Sequence, residues 1–284
     1  MAENGDSRAR RTSTQGRGVT SEPGGQPKPV AETTALVPQE ADGGICFVRF
    51  APRPPYDDRL VMWTEKDSPR AGSFRLLRQR LMERGDPRSV LCTSPRPGEG
   101  KTTLATNLAL AFAELGRHRV LLVEANLRAA ALGEIFGFKP PRGFGAQLQR
   151  HRTNPNDAWV VVQIGNSPLY VLAAEPRCCP HCAAVLADEA RFCGMCGKSV
   201  PAGGGVSLDA VTFATALKRF REAFDYLVVD APSVLTGGDV NLIQDACEAI
   251  VFATRSGHSE ARNLRRAMEQ VAPAQVAAVA LIDN

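Results

Sequence analysis

The sequence predicts an α/β fold in which helices cover both faces of a mostly parallel β-sheet. Short runs of apolar residues recur along the chain, as expected for strands that are buried on both faces. These runs cover residues 89–94, 119–124, 159–163, 169–173, 226–230, 249–254 and 276–282. Segments with the spacing of helices alternate with the runs, and this alternation is typical of parallel strands joined by helical crossovers.

Four segments are predicted to be helical, namely residues 73–84, 101–116, 207–224 and 259–270. In the first of them, Phe74, Leu77 and Leu81 recur at the spacing that puts them on one helix face. The second is rich in alanine and leucine and ends at a glycine, which commonly terminates helices. The last two each open with a serine, Ser207 and Ser259, and these serines are predicted to cap the helix N-termini.

The composition limits the class of protein. A chain of 284 residues can bury one large core together with a small module. The net charge is only +4 and no block of lysines and arginines is present, so we expect no nucleic-acid partner. No apolar run reaches the roughly 18 residues of a membrane helix, and no signal peptide is recognisable. We therefore expect a cytoplasmic protein whose clustered cysteines hold metal.

The chain is predicted to consist of a tail, a main domain and a small insertion. Residues 1–44 are rich in Gly, Pro, Ser, Thr and charged residues and are predicted to be a disordered tail. Its arginines could act as a weak electrostatic tether, but a solvated tail with no binding role is the favoured interpretation. Residues 45–284 would form the α/β domain, and residues 175–200 would be a module inserted within it.

A glycine-bearing loop, "TSPRPGEGKTT", follows the first apolar run and opens a helix. A strand, such a loop and then Gly-Lys-Thr at a helix start form the arrangement that binds nucleotide phosphates. Its glycines let backbone N–H groups turn toward phosphate oxygens, while Lys101 can reach the β and γ phosphates and the Thr102 hydroxyl can ligate Mg²⁺. We therefore expect ATP and Mg²⁺ to bind. The predicted nucleotide-binding residues are Pro97, Gly98, Glu99, Gly100, Lys101, Thr102 and Thr103.

Residues 93–116 and the following stretch, 119–128, closely resemble the bacterial tyrosine kinases that work with capsule and exopolysaccharide export machinery. Those kinases are deviant P-loop ATPases, alongside the cell-division-site and chromosome-partition (MinD/ParA-like) ATPases. The resemblance runs from about residue 58 to residue 284, apart from the cysteine-rich segment. Pro95 stands where the strict loop pattern has its first glycine, and this departure fits the subgroup. The resemblance implies an ATP-dependent protein tyrosine kinase or ATPase.

Two acidic strands of the family map onto this chain with one important difference. The resemblance implies that Asp230, at the end of a buried strand, binds the magnesium ion through its coordinated water molecules. The family's two aspartates after the phosphate-loop helix, thought to bind Mg²⁺ and activate the acceptor hydroxyl, are here Glu124 and Asn126. Asn126 cannot accept a proton, and general-base catalysis contributes about 10²- to 10⁴-fold. The implied catalytic set of Lys101, Glu124, Asn126 and Asp230 therefore predicts nucleotide binding with weak or absent phosphoryl transfer.

The resemblance also implies partners. Such kinases can depend on a separate membrane adaptor of a polysaccharide export system, so this chain would lie in the cytoplasm or peripherally at the inner face of the membrane. The family's first helix carries a Glu-x-x-Arg-x-x-Arg pattern for ring assembly, and here Arg75 and Arg78 are present but Gly72 replaces the acid. A homo-oligomer and a pair of merely solvated arginines are equally good interpretations. The chain's three tyrosines are not clustered, so the usual phosphate acceptor is missing.

Four cysteines in the segment 178–197 have the spacing of a zinc ribbon. Cys179 and Cys182 form one Cys-x-x-Cys pair, and Cys193 and Cys196 form the other. Four thiolates give a closed tetrahedral site, so the expected zinc ion is structural rather than catalytic. Disulfides are the main alternative and are disfavoured by the expected reducing compartment. Zinc would stabilise a module of about 25 residues that has almost no core.

The sequence thus favours an ATP-binding P-loop protein that resembles the kinases regulating exopolysaccharide synthesis and export, with weakened catalysis. One alternative is a nucleotide-switched positioning ATPase of the partition type, without kinase activity. The other is a nucleotide-binding pseudoenzyme that recruits a partner through its zinc ribbon.

Overall fold

The computed structural model describes residues 37–42, 44–186, 190–200 and 208–282. Within these described ranges nine strands form one sheet, and their bounds are as follows: β1 Val37–Asp42, β2 Ile45–Phe50, β3 Ser89–Thr93, β4 Val120–Glu124, β5 Trp159–Ile164, β6 Leu169–Leu172, β7 Tyr226–Asp230, β8 Ala249–Arg255 and β9 Val276–Ile282. All seven predicted strands are present. The pattern missed β1 and β2, which precede the first recognised helix.

Eight α-helices are interspersed with the strands in the described part of the chain. They are α1 Val61–Thr64, α2 Pro69–Glu83, α3 Lys101–Ala113, α4 Leu132–Phe136, α5 Phe144–Thr153, α6 Ala210–Ala223, α7 Asp239–Ile243 and α8 Ala261–Val271. In α2, Phe74 and Leu81 are buried and Leu77 is partly buried, so the predicted apolar face is confirmed. No helix among the described residues is long and apolar enough to cross a membrane.

The strand order across the sheet is β1-β2-β5-β6-β4-β7-β3-β8-β9. Six neighbouring strands run parallel to one another, in the order β6, β4, β7, β3, β8 and β9. Strand β5 pairs with β6 in the antiparallel sense. At that edge β2 is parallel to β5, and β1 is antiparallel to β2. The predicted mostly parallel α/β fold is therefore confirmed.

Helices lie on both faces of this sheet because alternate residues of each strand point in opposite directions. In β4, Val120 and Leu122 pack into a cluster that includes α2 and α3. Leu121 and Val123 of the same strand pack into a second cluster with α5 and α6. Burial on both faces explains why these strands appear in the sequence as continuous apolar runs.

The predicted tail of residues 1–44 needs a correction at its end, because Val37–Asp42 forms strand β1. This segment pairs with β2 from Val37 opposite Arg49 to Asp42 opposite Ile45. Backbone hydrogen bonds to a neighbouring strand can hold an edge segment without the large apolar residues that composition analysis looks for. Residues 1–36 lie outside the described residues.

Two of the predicted helix caps also need correction. The N-cap of α6 is Asp209, whose carboxylate accepts a hydrogen bond from the Thr212 backbone N–H, and Ser207 lies outside the described residues. Helix α8 begins after Glu260, and Ser259 does not cap it. A cap depends on the backbone angle at one position, and neighbouring polar residues cannot be told apart by sequence pattern.

The cysteine-rich module leaves the sheet after β6 and returns to it at α6. Two isolated β-bridges, between Cys178 and Val185 and between Phe192 and Ser199, mark its two halves. Its core is a small cluster that includes two of the cysteines, Cys179 and Cys193, with Leu186 and Val200. The boundaries expected for the module, 175–200, and for the main domain remain predictions.

Candidate nucleotide and zinc sites

The phosphate loop lies between β3 and α3, at the carboxyl end of the parallel strands. Gly98 and Gly100 both have positive φ angles, +82° and +91°, which side chains with a Cβ rarely adopt. A Cβ at Gly100 would also lie 3.1 Å from the side chain of Ile282. Lys101 and Thr102 follow as the first residues of α3. The carboxyl edge of parallel strands is the usual ligand position in such sheets.

Thr102 and Asp230 are brought together at the base of this loop. The Thr102 hydroxyl donates a 2.8 Å hydrogen bond to Oδ2 of Asp230. Asp230 is completely buried, and its Oδ1 has no hydrogen-bond partner among the described residues. Burial raises the pKa of Asp230 from 3.8 to about 6, although the charge of Lys101 and the Thr102 hydrogen bond oppose this shift.

These two residues fit a hydrated magnesium ion bound beside a nucleotide. Magnesium takes oxygen ligands and keeps several of its waters. The unpartnered Oδ1 of Asp230 could accept a hydrogen bond from such a water, and the Thr102 hydroxyl oxygen could be a direct ligand. Buried polar atoms in proteins nearly always have a partner, so the Oδ1 atom of Asp230 is suited to accept a hydrogen bond from a ligand or water at the phosphate loop.

Glu99 belongs to the predicted nucleotide-binding loop, but its side chain makes contacts within the protein. The carboxylate is buried, and its two oxygens accept hydrogen bonds of 2.7 Å from the Arg96 backbone N–H and the Ser259 hydroxyl. Ser259 in turn accepts a 2.7 Å hydrogen bond from the Arg255 backbone N–H. Glu99 therefore ties the phosphate loop to the loop between β8 and α8. Sequence reasoning missed this use of Ser259.

Glu124 lies beside Asp230, since the ends of β4 and β7 pair in register. Both of its carboxylate oxygens are nevertheless occupied by backbone N–H groups. One oxygen accepts from Ala131 and Leu132 at 2.5 and 2.9 Å, and the other accepts from Ala174 at 2.8 Å. Glu124 thus joins the start of α4 to the chain that leads from β6 into the cysteine-rich module.

Burial dominates the titration of Glu124. It raises the pKa of this carboxyl group from 4.5 to about 7, and the neighbouring charge of Asp230 acts in the same direction. The three backbone N–H groups oppose the shift because they favour the ionised form. A carboxylate with both oxygens engaged in this way is poorly placed to ligate a metal or to accept a proton from a substrate.

Asn126 lies at the same edge and is also nearly buried. Its side-chain Nδ2 donates a 3.3 Å hydrogen bond to the Ala129 carbonyl oxygen. The backbone N–H groups of Ala125 and Asn126 both donate to the carbonyl oxygen of Asp230. The sequence-predicted residues of the loop and of the two acidic strands therefore come together, but Glu99 and Glu124 make structural contacts within the protein.

Arg75 and Arg78, the candidate assembly residues, have an acidic partner within the same chain. The Arg75 guanidinium binds both carboxylate oxygens of Glu114, the residue that follows α3, with distances from 2.6 to 3.1 Å. Arg78 donates a 2.7 Å hydrogen bond to the Ala111 carbonyl oxygen and lies 3.7 Å from Glu114. Both arginines thus have an acidic partner, Glu114, within the same chain.

The four cysteines Cys179, Cys182, Cys193 and Cys196 converge in the module. Their sulfur atoms all lie within 4.8 Å of one another, and the closest pairs are separated by 3.5 and 3.8 Å. Tetrahedral zinc with Zn–S bonds of about 2.3 Å requires sulfur atoms about 3.8 Å apart. All eight cysteines are free of disulfides. The four thiols therefore fit a structural zinc ion, as predicted.

Comparisons with known proteins bear on the cysteine-rich module and on the chain as a whole. Residues 179–200 match the family model of a zinc-ribbon domain. Over 199 residues, 70% of this chain, the sequence is 24% identical to the tyrosine-protein kinase CpsD of Streptococcus agalactiae, of which 76% is covered.

Two solved structures illustrate the likeness in fold. The chimerical protein CapA2B2 superposes with a TM-score of 0.61 and 21% identity, covering 82% of this chain and 92% of the other. The septum site-determining protein MinD of Pyrococcus horikoshii, in complex with Mg-ADP, superposes with a TM-score of 0.50 and 19% identity, covering 69% and 70%. The chain thus has the fold of a deviant P-loop ATPase with a zinc ribbon in it, and its resemblance to the bacterial tyrosine kinases is confirmed.

Proposed function

We propose that this chain binds ATP with Mg²⁺ at the phosphate loop and acts as a kinase-like regulator of exopolysaccharide or capsule synthesis, with weakened phosphoryl transfer. The observation that carries the nucleotide site is the pair of Thr102 and Asp230, with its unpartnered buried carboxylate oxygen beneath two glycines of positive φ. The name of the similar kinase CpsD supports tyrosine phosphorylation as the parent activity.

Weakened transfer follows from the contacts of the second acidic strand. Phosphoryl transfer relies on positioning, on metal charge and on a group that orients or deprotonates the acceptor. Glu124 is committed to three backbone N–H groups, and Asn126 has no charge with which to accept a proton. The loop, Lys101, Thr102 and Asp230 remain available for nucleotide and metal. We therefore expect ATP binding to be retained although phosphoryl transfer is weakened.

Calorimetric titration with MgATP tests the binding site. Lys101→Ala should abolish ATP binding or weaken it strongly, because this ammonium group is aimed at phosphate and is not part of the core. Lys139→Ala is the matched control, since Lys139 is exposed and lies outside the loop. Equal ATP affinity of the Lys101 variant and the control, with both folded by circular dichroism, would contradict the site.

Single-turnover experiments with radiolabelled ATP test the weakened transfer. Asn126→Asp restores a carboxylate at the second strand and should raise turnover by about 10²-fold, with little change in ATP affinity. Glu124→Asp is a poor companion change, because the shorter side chain would give up its backbone contacts. If the native chain already turns over as fast as the Asn126 variant, its catalysis is not weakened and this part of the proposal is wrong.

The partition-type switch remains the second candidate. The observation in its favour is Arg96, which is exposed on the phosphate loop and could reach a nucleotide in another subunit. The products of ATP distinguish the candidates, since phosphotyrosine supports a kinase and free phosphate alone supports a switch. Absence of both products with intact ATP binding supports a pseudoenzyme that acts through its zinc ribbon.

A further inference from the structure

An open groove runs between helix α2 and strand β9. Its volume is about 650 Å³. Strand β9 is the last strand of the sheet and pairs only with β8, so its outer edge has no partner strand among the described residues. Natural sheets usually shield such an edge, because its free N–H and C=O groups can pair with another chain.

The groove exists because β9 has small side chains where it faces α2. Ala278 and Ala280 are on the strand face that packs toward the cluster containing α2, and they leave space beside Leu77. The opposite face of β9 presents two larger apolar residues to solvent, Val279 at 44% and Leu281 at 63% exposure. A strand added at this edge would therefore have the groove on one of its faces and the exposed apolar residues of β9 beside the other.

The charge around the groove has one sign. Among the described residues that line it, the three charged ones are all arginines, namely Arg70, Arg80 and Arg84. Arg70 is paired with Glu65 at 2.7 Å, whereas Arg80 approaches Glu83 only to 3.7 Å. The groove thus offers positive charge on the α2 side and apolar contacts on the other side.

We propose that the edge of β9 binds an extended acidic segment of a partner protein by strand addition. Carboxylates at alternate positions of that segment would face the arginines of α2, and apolar residues between them would lie beside Val279 and Leu281. Main-chain hydrogen bonds supply affinity in this mode of recognition, and the alternating side chains set the register. The proposed surface adjoins the nucleotide site, with Thr103 common to both, but it does not depend on the chemistry proposed there.

The surface lies next to the phosphate loop. Thr103, in the first turn of α3, lines the groove, and Ile282 at the end of β9 lies against Gly100. A segment bound at β9 would therefore contact elements that also shape the loop. Binding is nevertheless tested without nucleotide, so that the two sites are judged separately.

The test uses the full chain and a labelled heptapeptide, acetyl-VEVEVEV-amide, with fluorescence anisotropy as the readout. Acetyl-VKVKVKV-amide is the charge control, and the acidic peptide N-methylated at alternate residues is the backbone control. We expect the acidic peptide to bind and both controls to bind at least about 10-fold more weakly. Equal binding of the N-methylated peptide would rule out strand addition.

Variants locate the binding on the groove. The double change Arg80→Glu with Arg84→Glu should weaken the acidic peptide about 10-fold and strengthen the lysine peptide, because two contacts change sign. Arg117→Glu is the matched control, since Arg117 is exposed and does not line the groove. Ala280→Leu should fill the groove and block the acidic peptide without changing any charge.

Three results would overturn the proposal. One is binding of the acidic peptide that neither the double reversal nor Ala280→Leu affects. Another is binding of a single-stranded oligonucleotide that is tighter than binding of the peptide and that the double reversal abolishes. The arginines would then bind polyanions in general. The third is a doubled mass in light scattering that Ala280→Leu abolishes, which would make a second copy of this chain the occupant.

Discussion

At the scale of single residues, the acidic side chains at the proposed nucleotide site make different contacts although they lie close together. Asp230 keeps one oxygen free, whereas Glu124 uses both oxygens to hold backbone N–H groups. The longer side chain of glutamate reaches amide groups across two connections of the fold. At a position that the resemblance implies to be catalytic, this chain thus has a carboxylate that makes structural contacts.

The titration of Glu124 should make the stability of the protein depend on pH. Its pKa is about 7 in the folded protein and lies near 4.5 without burial. The unfolded chain therefore releases this proton at lower pH, and stability falls as pH rises through this window. Between pH 6 and 8 the expected loss is about 1 kcal/mol, and Glu124→Gln should remove it.

Urea unfolding of the native chain and the variant at both pH values measures this difference. Asp230, with a pKa of about 6, is half titrated at pH 6, so it adds a smaller loss of about 0.4 kcal/mol in the same range, and this part should remain in the Glu124 variant. The control is Glu134→Gln, because the side chain of Glu134 is 78% exposed on helix α4. A loss of stability between pH 6 and 8 that is as large in the Glu124 variant as in the native chain would show that other groups cause it.

At the scale of elements, the phosphate loop is hydrogen-bonded to the loop between β8 and α8 through Glu99 and Ser259. Ser259→Ala removes the hydroxyl that binds the buried Glu99 carboxylate. Hydrogen bonds to charged groups contribute about 1.5–3 kcal/mol. We expect ATP affinity to fall about 10-fold, since the loop loses part of its preorganisation. Calorimetry gives the affinity.

Ser256→Ala is the control for this change, because Ser256 is exposed in the same loop. It should leave ATP affinity unchanged. Equal affinities of the Ser259 variant and the native chain would mean that the Arg96 N–H bond to Glu99 alone is enough to fix the phosphate loop.

The zinc ribbon is a second element whose role can be isolated. One zinc ion per chain should co-purify, and Cys193→Ser should release it, because a tetrahedral site loses one of its four ligands. ATP binding should largely survive, since the module lies outside the phosphate loop. Metal analysis and calorimetry measure both quantities. Cys178→Ser, which removes an exposed thiol outside the cluster, should retain the zinc.

Elements with strong local signals could be predicted from the sequence, and those defined by distant partners could not. The buried strands, the phosphate loop and the four cysteines each carry a compact pattern. Strand β1 has no such pattern and depends on pairing with β2. The direction of the Glu99 side chain depends on Ser259, 160 positions later in the chain. Sequence spacing predicts which residues come together, but not which hydrogen bonds their side chains form.

At the scale of the whole molecule, the contacts of Arg75 and Arg78 bear on assembly. The resemblance leaves a ring of subunits and a pair of solvated arginines as equal interpretations. In the structure both arginines are bound by Glu114 of the same chain, and the Arg75 contact lowers the pKa of this glutamate. An arginine that already binds a carboxylate through two oxygens has little to gain from a second subunit.

We therefore expect a monomer of 30.5 kDa in light scattering at micromolar concentrations, with and without MgATP. Arg75→Ala should then act on stability alone. The pair is partly exposed, with side chains at 31% and 40%, so the loss should be at most about 1 kcal/mol in urea unfolding. A mass of several chains that falls to one in the Arg75 variant would show instead that the arginine serves an interface, and that Glu114 gives it up when subunits meet.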